Sequence, residues 1–518
     1  MFLSLLIALP VVCALIVFAL PEGKTRMTSV FLAVLQFLVS LNLLFVFDTS
    51  TPALQLVEKY LWVESFGINY FVGIDGISLW LVMMTAFFLP VVILGSWHAI
   101  ESRVKMFHIN LFLLQAFMFG TFLSIDSVLF YIFFEASLIP MYLMIGIWGG
   151  TRRIYATMKF FIYTMAGSLL MLVAIIAMML MTKAQLGTMS ASLLDFYKLD
   201  IPFVANEFLN SQTLMFLAFS LAFAIKVPMF PVHTWLPDAH VEAPTPGSVV
   251  LAAIMLKMGT YGFLRFVMPL FPEATQYWGW VFMLLGVIGI IYGALVAMVQ
   301  PDIKKLVAYS SVSHMGYVVL GLFALNTYGV TGALYQMLNH GVSTGALFLM
   351  VGMIYERTHS REIKNYGGLA SVMPIYTILF LIVTMSSIAV PGTNGFVGEF
   401  FILMGSFMKN KALGSIAVLG VVLGAAYMLW MVKKVFFGPK GELVKGATSE
   451  TSNPVLKDVS LREVVVLAPL IVLIFWMGIF PNHFLKYTKT SIEFLIENKA
   501  DYKLHIQGEE QAVAAIAE

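Results

Sequence analysis

The sequence predicts an all-α polytopic membrane protein with about fourteen transmembrane helices. Of its 518 residues, 60% are hydrophobic and only 11% are charged, whereas a soluble domain is typically about 25% charged. Apolar runs of about 20 residues, the length that crosses a bilayer, recur along the whole chain. Two of these runs are interrupted by a cluster of prolines, or of proline and glycines, which predicts a break in the helix. Together these observations indicate a helical bundle that contains broken helices at membrane depth.

The apolar runs form one predicted transmembrane domain over residues 1–481, followed by a polar C-terminal tail over residues 482–518. We expect surface stretches at 49–74 and 183–212 and a long loop at 436–462. The predicted spans, numbered one to fourteen, are residues 2–20, 27–48, 75–97, 108–123, 126–149, 157–182, 213–240, 246–268, 277–299, 305–324, 331–355, 373–409, 412–435 and 464–481.

Spans seven and twelve contain the two breaks. In span seven Lys226 is followed at once by two prolines, and in span twelve a proline and two glycines precede Glu399. A break at membrane depth is tolerated only where the backbone is buried in protein or lines a wet cavity. Because five spans separate the breaks, and five is odd, a repeat of that length is inverted in the membrane. We therefore predict two inverted five-helix repeats, at 108–268 and 277–435, each with one broken helix.

The distribution of basic residues predicts the orientation, because cytoplasmic loops are enriched in lysine and arginine. Loops that leave even-numbered spans carry few: Lys59, Lys183, Lys198, Arg265, Lys409 and Lys411. Loops that leave odd-numbered spans carry many: Lys24, Arg26, Arg103, Lys105, Arg152, Arg153, Lys304, Lys305, Arg357, Arg361, Lys364, Lys433, Lys434, Lys440 and Lys445. We expect these odd-to-even loops in the cytoplasm of a bacterium, the chain in its inner membrane, and both termini on the non-cytoplasmic side.

Six of the ionisable residues inside predicted spans form an ordered series, at a depth where charge is costly and usually functional. They follow one another as acid, base, base, imidazole, imidazole, acid: Glu135, Lys226, Lys257, His314, His340 and Glu399. Imidazole passes protons at neutral pH. A buried lysine binds its proton less tightly, and a nearby carboxylate restores that affinity. The series therefore predicts a proton relay. His233 and His240, at the cytoplasmic side, are candidate entry residues.

Each of these side chains also has a structural interpretation. Glu135 and Lys226 could form a static ion pair that locks two helices, and Glu399 could cap a half-helix. His314 and His340 could hydrogen-bond a neighbouring helix. His233 and His240 could bond loop backbone. Lys257 could belong to a structural ion pair, although no acid lies near it in sequence to supply one. A metal site at the two cytoplasmic-side histidines is not expected, because a spacing of seven with an intervening proline is not typical of metal ligands.

Redox groups are not expected in this chain. Its one cysteine, Cys13, excludes a cysteine-ligated iron–sulfur cluster and an intrachain disulfide. No Walker A loop and no dinucleotide-binding glycine motif occurs. Any redox chemistry that drives a relay must therefore lie in partner subunits.

Four segments resemble the antiporter-like membrane subunits of respiratory complex I: FFEASLIPMYLMIGIWG, KVPMFPVHTWLPDAHVEAPTPGSVVLAAIMLKMGTYG, SSVSHMGYV and PGTNGFVGEF. The resemblance covers about residues 70–435, and the family is similar to subunits of multisubunit sodium/proton antiporters and membrane-bound hydrogenases. Sibling subunits usually carry lysine where this chain has Glu399. The glutamate resembles the branch that contains subunit M of bacterial NADH–quinone oxidoreductase and mitochondrial subunit 4.

This resemblance implies roles and partners. Glu135 and Lys226 would form a first-half pair, Lys257 and His340 the central relay, and Glu399 the terminal site. NADH, FMN, iron–sulfur clusters and quinone would be held by partner subunits, with no cofactor here. The expected partners are other membrane subunits, including sibling antiporter-like subunits, and the lipid bilayer, with no nucleic acid. Two alternatives remain open: a subunit of a sodium/proton antiporter or membrane-bound hydrogenase, and a structural membrane scaffold.

Overall fold

The computed structural model describes residues 1–205, 207–447 and 456–497. Within this part of the chain, eleven helices are long and apolar enough to cross a membrane, and three shorter apolar helices accompany them. Each of these fourteen helices overlaps one predicted span, but Ser211–Lys226 and Pro374–Ser387 cover only the first part of the two broken spans, and the number of membrane crossings stays a prediction. The all-α polytopic fold is therefore confirmed, while the inverted repeats and the domain limits remain untested.

The N-terminal part contains a feature that the sequence analysis missed. Helices α1 (Phe2–Ala19), α2 (Glu22–Ser40) and α3 (Asn42–Val46) precede an antiparallel hairpin of β1 (Gln55–Val63) and β2 (Ile68–Ile74). A 3₁₀ turn, Glu64–Phe66, joins the strands and ends at Gly67 with φ +61°, a value that favours glycine. Glu58 of β1 accepts hydrogen bonds from the Leu3 amide (2.8 Å) and from Ser4. The hairpin therefore holds the beginning of α1.

The first half of the bundle ends in the predicted break. Asp126 caps one of its helices by accepting from the amides of Val128 and Leu129, as an N-terminal carboxylate should. The helices are α4 (Leu79–Gly95), α5 (Val104–Leu123), α6 (Ser127–Ala136), α7 (Leu138–Trp148), α8 (Arg153–Leu186), α9 (Leu193–Phe196), α10 (Ser211–Lys226) and α11 (Trp235–Glu242). Span seven is thus divided into α10 and α11, and α10 ends at Lys226 as predicted.

Span eight is a single helical column with two widened turns. Helices α12 (Thr245–Val250), α13 (Leu256–Gly262) and α14 (Met268–Leu270) are joined by π-helical segments, Leu251–Met255 and Phe263–Val267. Such π-bulges are frequent at functional sites because they displace side chains from ordinary helical spacing. The column is buried along its whole length, so its charged residues face protein.

The second half contains the other break. Its helices are α15 (Pro272–Met298), α16 (Ile303–Phe323), α17 (Thr327–Thr358), α18 (Pro374–Ser387), α19 (Asn394–Lys409), α20 (Lys411–Phe436) and α21 (Glu442–Ala447), with 3₁₀ turns at Ile363–Asn365 and Leu369–Ser371. Residues 388–393 interrupt span twelve between α18 and α19, which confirms the predicted break just before Glu399. Helices α16 and α17 are almost entirely buried and form the core with the column of span eight.

The C-terminal part turns back onto the start of the bundle. It comprises α22 (Leu461–Ile479), α23 (Asn482–Leu485) and α24 (Lys489–Glu497). Ser491 Oγ accepts a hydrogen bond of 3.1 Å from the Gly76 amide, and Trp80 Nε1 donates to the Phe484 carbonyl at 3.0 Å. The first part of the predicted polar tail is therefore packed helix, and its residues 498–518 lie outside the described part of the chain.

A row of buried ionisable side chains as the candidate functional site

Lys257 and His340 form a direct contact in the buried core. Lys257 lies on α13, immediately after the first π-helical segment, and His340 lies on α17. The lysine Nζ donates to the Ala252 carbonyl at 2.5 Å and lies 2.7 Å from His340 Nδ1. When the lysine is charged, Nδ1 accepts and the imidazole carries its proton on Nε2. The pair can therefore exchange one proton across a single hydrogen bond.

His314 and Glu399 form a second contact further along. His314 lies on α16 and Glu399 on α19. The His314 Nδ1 atom is 3.0 Å from Glu399 Oε1, and both side chains are at most one-tenth exposed. The rings of His314 and His340 have centroids 6.1 Å apart. The structure thus brings four predicted residues into one row, in the order Lys257, His340, His314, Glu399.

The first-half residues are neighbours without being an ion pair. Lys226 is buried at the end of α10, and its ammonium lies 4.6 Å from the ring centroid of Phe134, a cation–π distance. Glu135 is the next residue on α6. Within the described residues, no hydrogen bond or ion pair joins the Lys226 ammonium to the Glu135 carboxylate, which lies beside Ser168 instead. The predicted static ion pair is therefore absent from this state, and the two charges remain separate but close in the fold.

His233 and His240 pack against aromatic rings and make no hydrogen bond to the row within the described residues. The His233 ring lies 5.2 Å from that of Tyr292, and the His240 ring stacks on Phe348 at 4.6 Å. Both ring nitrogens of His240 lack hydrogen-bond partners within the described part of the chain, whereas the His233 ring lies within reach of the Pro231 backbone. For His233 both the loop hydrogen bond and the entry role stay predictions, and for His240 the entry role does.

Two cations counted as loop residues are in fact buried in helices, so that interpretation is wrong. Arg265, in the second π-helical segment, forms a 2.6 Å ion pair with Asp75, and both side chains are 1% exposed. Lys304, in the first turn of α16, donates to the Ala243 carbonyl at 2.5 Å. A cation near a helix end in sequence gives no sign of whether tertiary packing covers it. For Arg265, the spacing of eight residues from Lys257 on one helix was an available signal.

Gln336 is the polar residue at the row that the sequence analysis missed entirely. Its Nε2 donates to Glu399 Oε1 at 3.1 Å. Gln336 precedes His340 by four residues on α17, so both side chains lie on one face of the helix. That spacing was visible in the sequence, but a neutral amide does not titrate and was passed over.

A cavity of about 750 Å³ lies at the predicted cytoplasmic end of the bundle. It borders residues 241–245, which follow His240 and run from the end of α11 to the start of α12. Charged side chains of both signs line it: Glu101, Arg153, Glu242, Lys304, Glu356 and Arg361. A polar space of this size can hold water next to the broken helix.

Comparisons with known proteins identify the family of the chain. Residues 124–424 match the family model described as NADH:quinone oxidoreductase/Mrp antiporter, TM. The chain is 47% identical to NADH-quinone oxidoreductase subunit M of Rhodobacter capsulatus, over 96% of each chain. It is 43% identical to NADH-ubiquinone oxidoreductase chain 4 of Marchantia polymorpha, over 96% of this chain and 97% of the relative.

A solved structure of respiratory complex I contains a chain with the same fold. A chain of respiratory complex I from Thermus thermophilus with bound NADH superposes with a TM-score of 0.83 at 33% identity, over 96% of this chain and 100% of that one. Residues 124–424, which the family model matches, include every residue of the row. The resemblance predicted from the motifs is thereby confirmed, and the chain belongs to the NADH:quinone oxidoreductase/Mrp antiporter transmembrane family, as an antiporter-like complex I subunit.

Proposed function

We propose that this chain is the M-type proton-translocating subunit of an NADH–quinone oxidoreductase. One observation carries the proposal: Lys257, His340, His314 and Glu399, contributed by four different helices, form a row of proton-exchanging groups through the buried core. Charged groups at membrane depth are costly, and those that are retained usually mark a transport path. A scaffold would need these charges only as closed pairs, and Lys257 has an imidazole rather than an acid as its partner.

The chemistry of the row runs by single proton exchanges. Lys257 releases a proton to His340 Nδ1, and the imidazole passes a proton from Nε2, so that both ring nitrogens are used in turn. The rings of His340 and His314 are 6.1 Å apart by centroid, a separation suited to transfer through one bridging water. His314 Nδ1 then delivers the proton to the Glu399 carboxylate. Each group gains a proton on one side and loses one on the other.

We infer that protons enter from the cytoplasm through the cavity beside residues 241–245. His240 and His233 lie on the same broken segment and connect that end of the bundle with the interior. Glu135 and Lys226 act in the first half as a switch: Lys226 holds a proton when Glu135 approaches and releases it when they separate. The open arrangement of these two side chains corresponds to the separated state.

The energy for transport comes from outside the chain. Moving one proton against 100 mV costs roughly 2.3 kcal/mol, and no redox group is expected here. We propose that NADH, FMN, iron–sulfur clusters and quinone are held by partner subunits, and that sibling membrane subunits transmit the coupling. The membrane is a bacterial inner membrane, with both termini on its non-cytoplasmic side.

A reconstituted complex tests this function. In Lys257→Met the side chain keeps most of its length and loses its proton, so we expect NADH-driven acidification of the vesicle lumen to fall severalfold while the complex assembles. Lys183→Met, at an exposed lysine near the end of α8, is the matched control and should pump normally. Normal pumping in Lys257→Met would refute the relay. Sodium transport without NADH oxidation would instead favour the antiporter alternative.

A further inference from the structure

The two carboxylate oxygens of Glu399 differ in their hydrogen-bond contacts. Oε1 accepts from Gln336 Nε2 at 3.1 Å and lies 3.0 Å from His314 Nδ1. Oε2 makes no hydrogen bond within the described residues. A carboxylate whose contacts all converge on one oxygen is held in one rotational orientation, here with Oε1 toward His314.

The Gln336 amide is itself held in a fixed direction. Asn339 Nδ2 donates to Gln336 Oε1 at 3.0 Å, which leaves the amino end of Gln336 for Glu399. A Cβ added at Gly398 would lie 2.7 Å from Asn339 Nδ2 and would collide with Gln336 Oε1. Glycine at this position of α19 therefore leaves the room that the amide pair occupies.

The amides continue to the break in span twelve. Asn394, the first residue of α19, donates through Nδ2 to the Asn339 carbonyl at 3.4 Å and to Ser343 Oγ at 3.3 Å. Ser386, near the end of α18, donates to Asn394 Oδ1 at 2.5 Å. A continuous set of hydrogen bonds thus connects both half-helices of the break to the carboxylate.

We propose that Gln336 is a positioning residue that latches the ionised carboxylate of Glu399 toward His314. An amide N–H bonds more strongly to a charged acceptor than to a neutral one. The latch therefore holds the empty acceptor in place for the proton from His314 Nδ1 and loosens once that proton has bonded to the carboxylate. The carboxylic acid is then free to rotate and to release its proton away from His314. This inference rests on the proposed function.

Gln336→Met tests the latch, because it keeps the length of the side chain and removes the donor. We expect proton pumping by the reconstituted complex to fall about tenfold, the loss of one hydrogen bond to a charged group. We also expect a shift of the infrared carboxylate band of Glu399, identified as the band that disappears in Glu399→Gln. Gln115→Met removes another buried amide, whose Nε2 donates to the Thr85 carbonyl, and should change neither readout.

An unshifted band with normal pumping in Gln336→Met would overturn the proposal, and so would equal losses in Gln336→Met and Gln115→Met. If Gln336→Met does not assemble, Asn339→Ala takes its place: it keeps Gln336 and frees its amide to rotate, so a smaller shift in the same direction is expected and an unshifted band refutes the latch. Normal pumping in Glu399→Gln would instead refute Glu399 as a proton site. The two failures are therefore distinguishable.

Discussion

Gly332→Ala should reduce proton transfer along the row, although it removes no polar group. Gly332 lies on α17 where α19 crosses it, and a Cβ there would be 2.6 Å from the Ile402 amide nitrogen and 2.9 Å from the Gly398 carbonyl oxygen. Both are backbone atoms and cannot rotate away. Since carbon contacts need about 3.5 Å, the helices must separate by about 0.9 Å. The Gln336–Glu399 hydrogen bond, 3.1 Å long, would then exceed the range of about 3.2 Å for such bonds.

The expected phenotype of Gly332→Ala is an assembled complex with reduced pumping. Overpacking of this kind costs about 1–3 kcal/mol, which the large core should tolerate. Gly424→Ala on α20 is the control, because a Cβ there meets nothing within 4 Å. A native gel measures assembly, and lumen acidification per NADH oxidised measures coupling. Wild-type coupling in assembled Gly332→Ala would show that the row does not depend on close packing of α17 and α19.

Further predictions concern the first half, the orientation and the hairpin. Lys226→Ala and Glu135→Ala should each strongly reduce pumping while the complex still assembles; normal pumping in both would leave these charges structural. Cysteines at Thr151 and Lys440, both exposed, should react with an impermeant reagent from the cytoplasmic side alone, and labelling from outside would overturn the orientation. Burial opposes ionisation of Glu58, but hydrogen bonds from the start of α1 outweigh it and hold its pKa below the usual 4.5. Because the pKa is depressed, the contribution of Glu58 to the docking of α1 is complete above 4.5 and is lost as pH falls through the lower, folded-state pKa. Protection of the first amides of α1, corrected for the intrinsic exchange rate at each pH, should fall on acidification, and unchanged protection would contradict this.

The sequence was sufficient for features that act locally. Two prolines, Pro228 and Pro231, remove backbone donors shortly after Lys226, so the end of α10 could be predicted without knowing its neighbours, whereas α1, α4 and α22 each continue through a single proline. The same holds for the proline and glycines before Glu399. Span positions follow from the length of apolar runs, which each helix satisfies by itself.

The contacts within the row could not be predicted, because they depend on packing between distant helices. Lys257 meets His340 across 83 residues, and His314 meets Glu399 across 85. Composition shows that these groups are buried and gives no information on which of them touch. The resemblance supplied the roles of Lys257 and His340, whereas the contact of His314 with Glu399 joins two distant helices and could not be inferred from either segment alone.

The hairpin was missed for a different reason. Residues 55–63 include apolar side chains and charges that fit a surface helix as well as a strand, and short segments of this kind are ambiguous by periodicity. Pairing with residues 68–74 and the glycine turn resolves the ambiguity only in three dimensions. The buried Lys304 likewise depends on the carbonyl of Ala243, which a different segment supplies.

At Glu399 the relay and cap interpretations predict opposite orders of pumping activity for the same set of variants. Glu399 lies on the sixth residue of α19, and its carboxylate meets His314 and Gln336 rather than the backbone amides that a capping residue would bind. A proton site must ionise, so Glu399→Gln should block pumping although the amide keeps the shape, and Glu399→Asp should retain a sizeable part of it.

Glu399→Lys is the sharper variant of this series. An ammonium can carry a proton as a carboxyl does, and the sibling subunits that the sequence resembles usually have lysine here, so we expect Glu399→Lys to retain part of the pumping. A cap at the start of a half-helix needs an acceptor, which glutamine still provides and lysine does not. Pumping by the three variants, measured at equal NADH oxidation, therefore separates the two interpretations. If Glu399→Gln pumps normally and Glu399→Lys fails, Glu399 stabilises the broken helix and the row ends at His314.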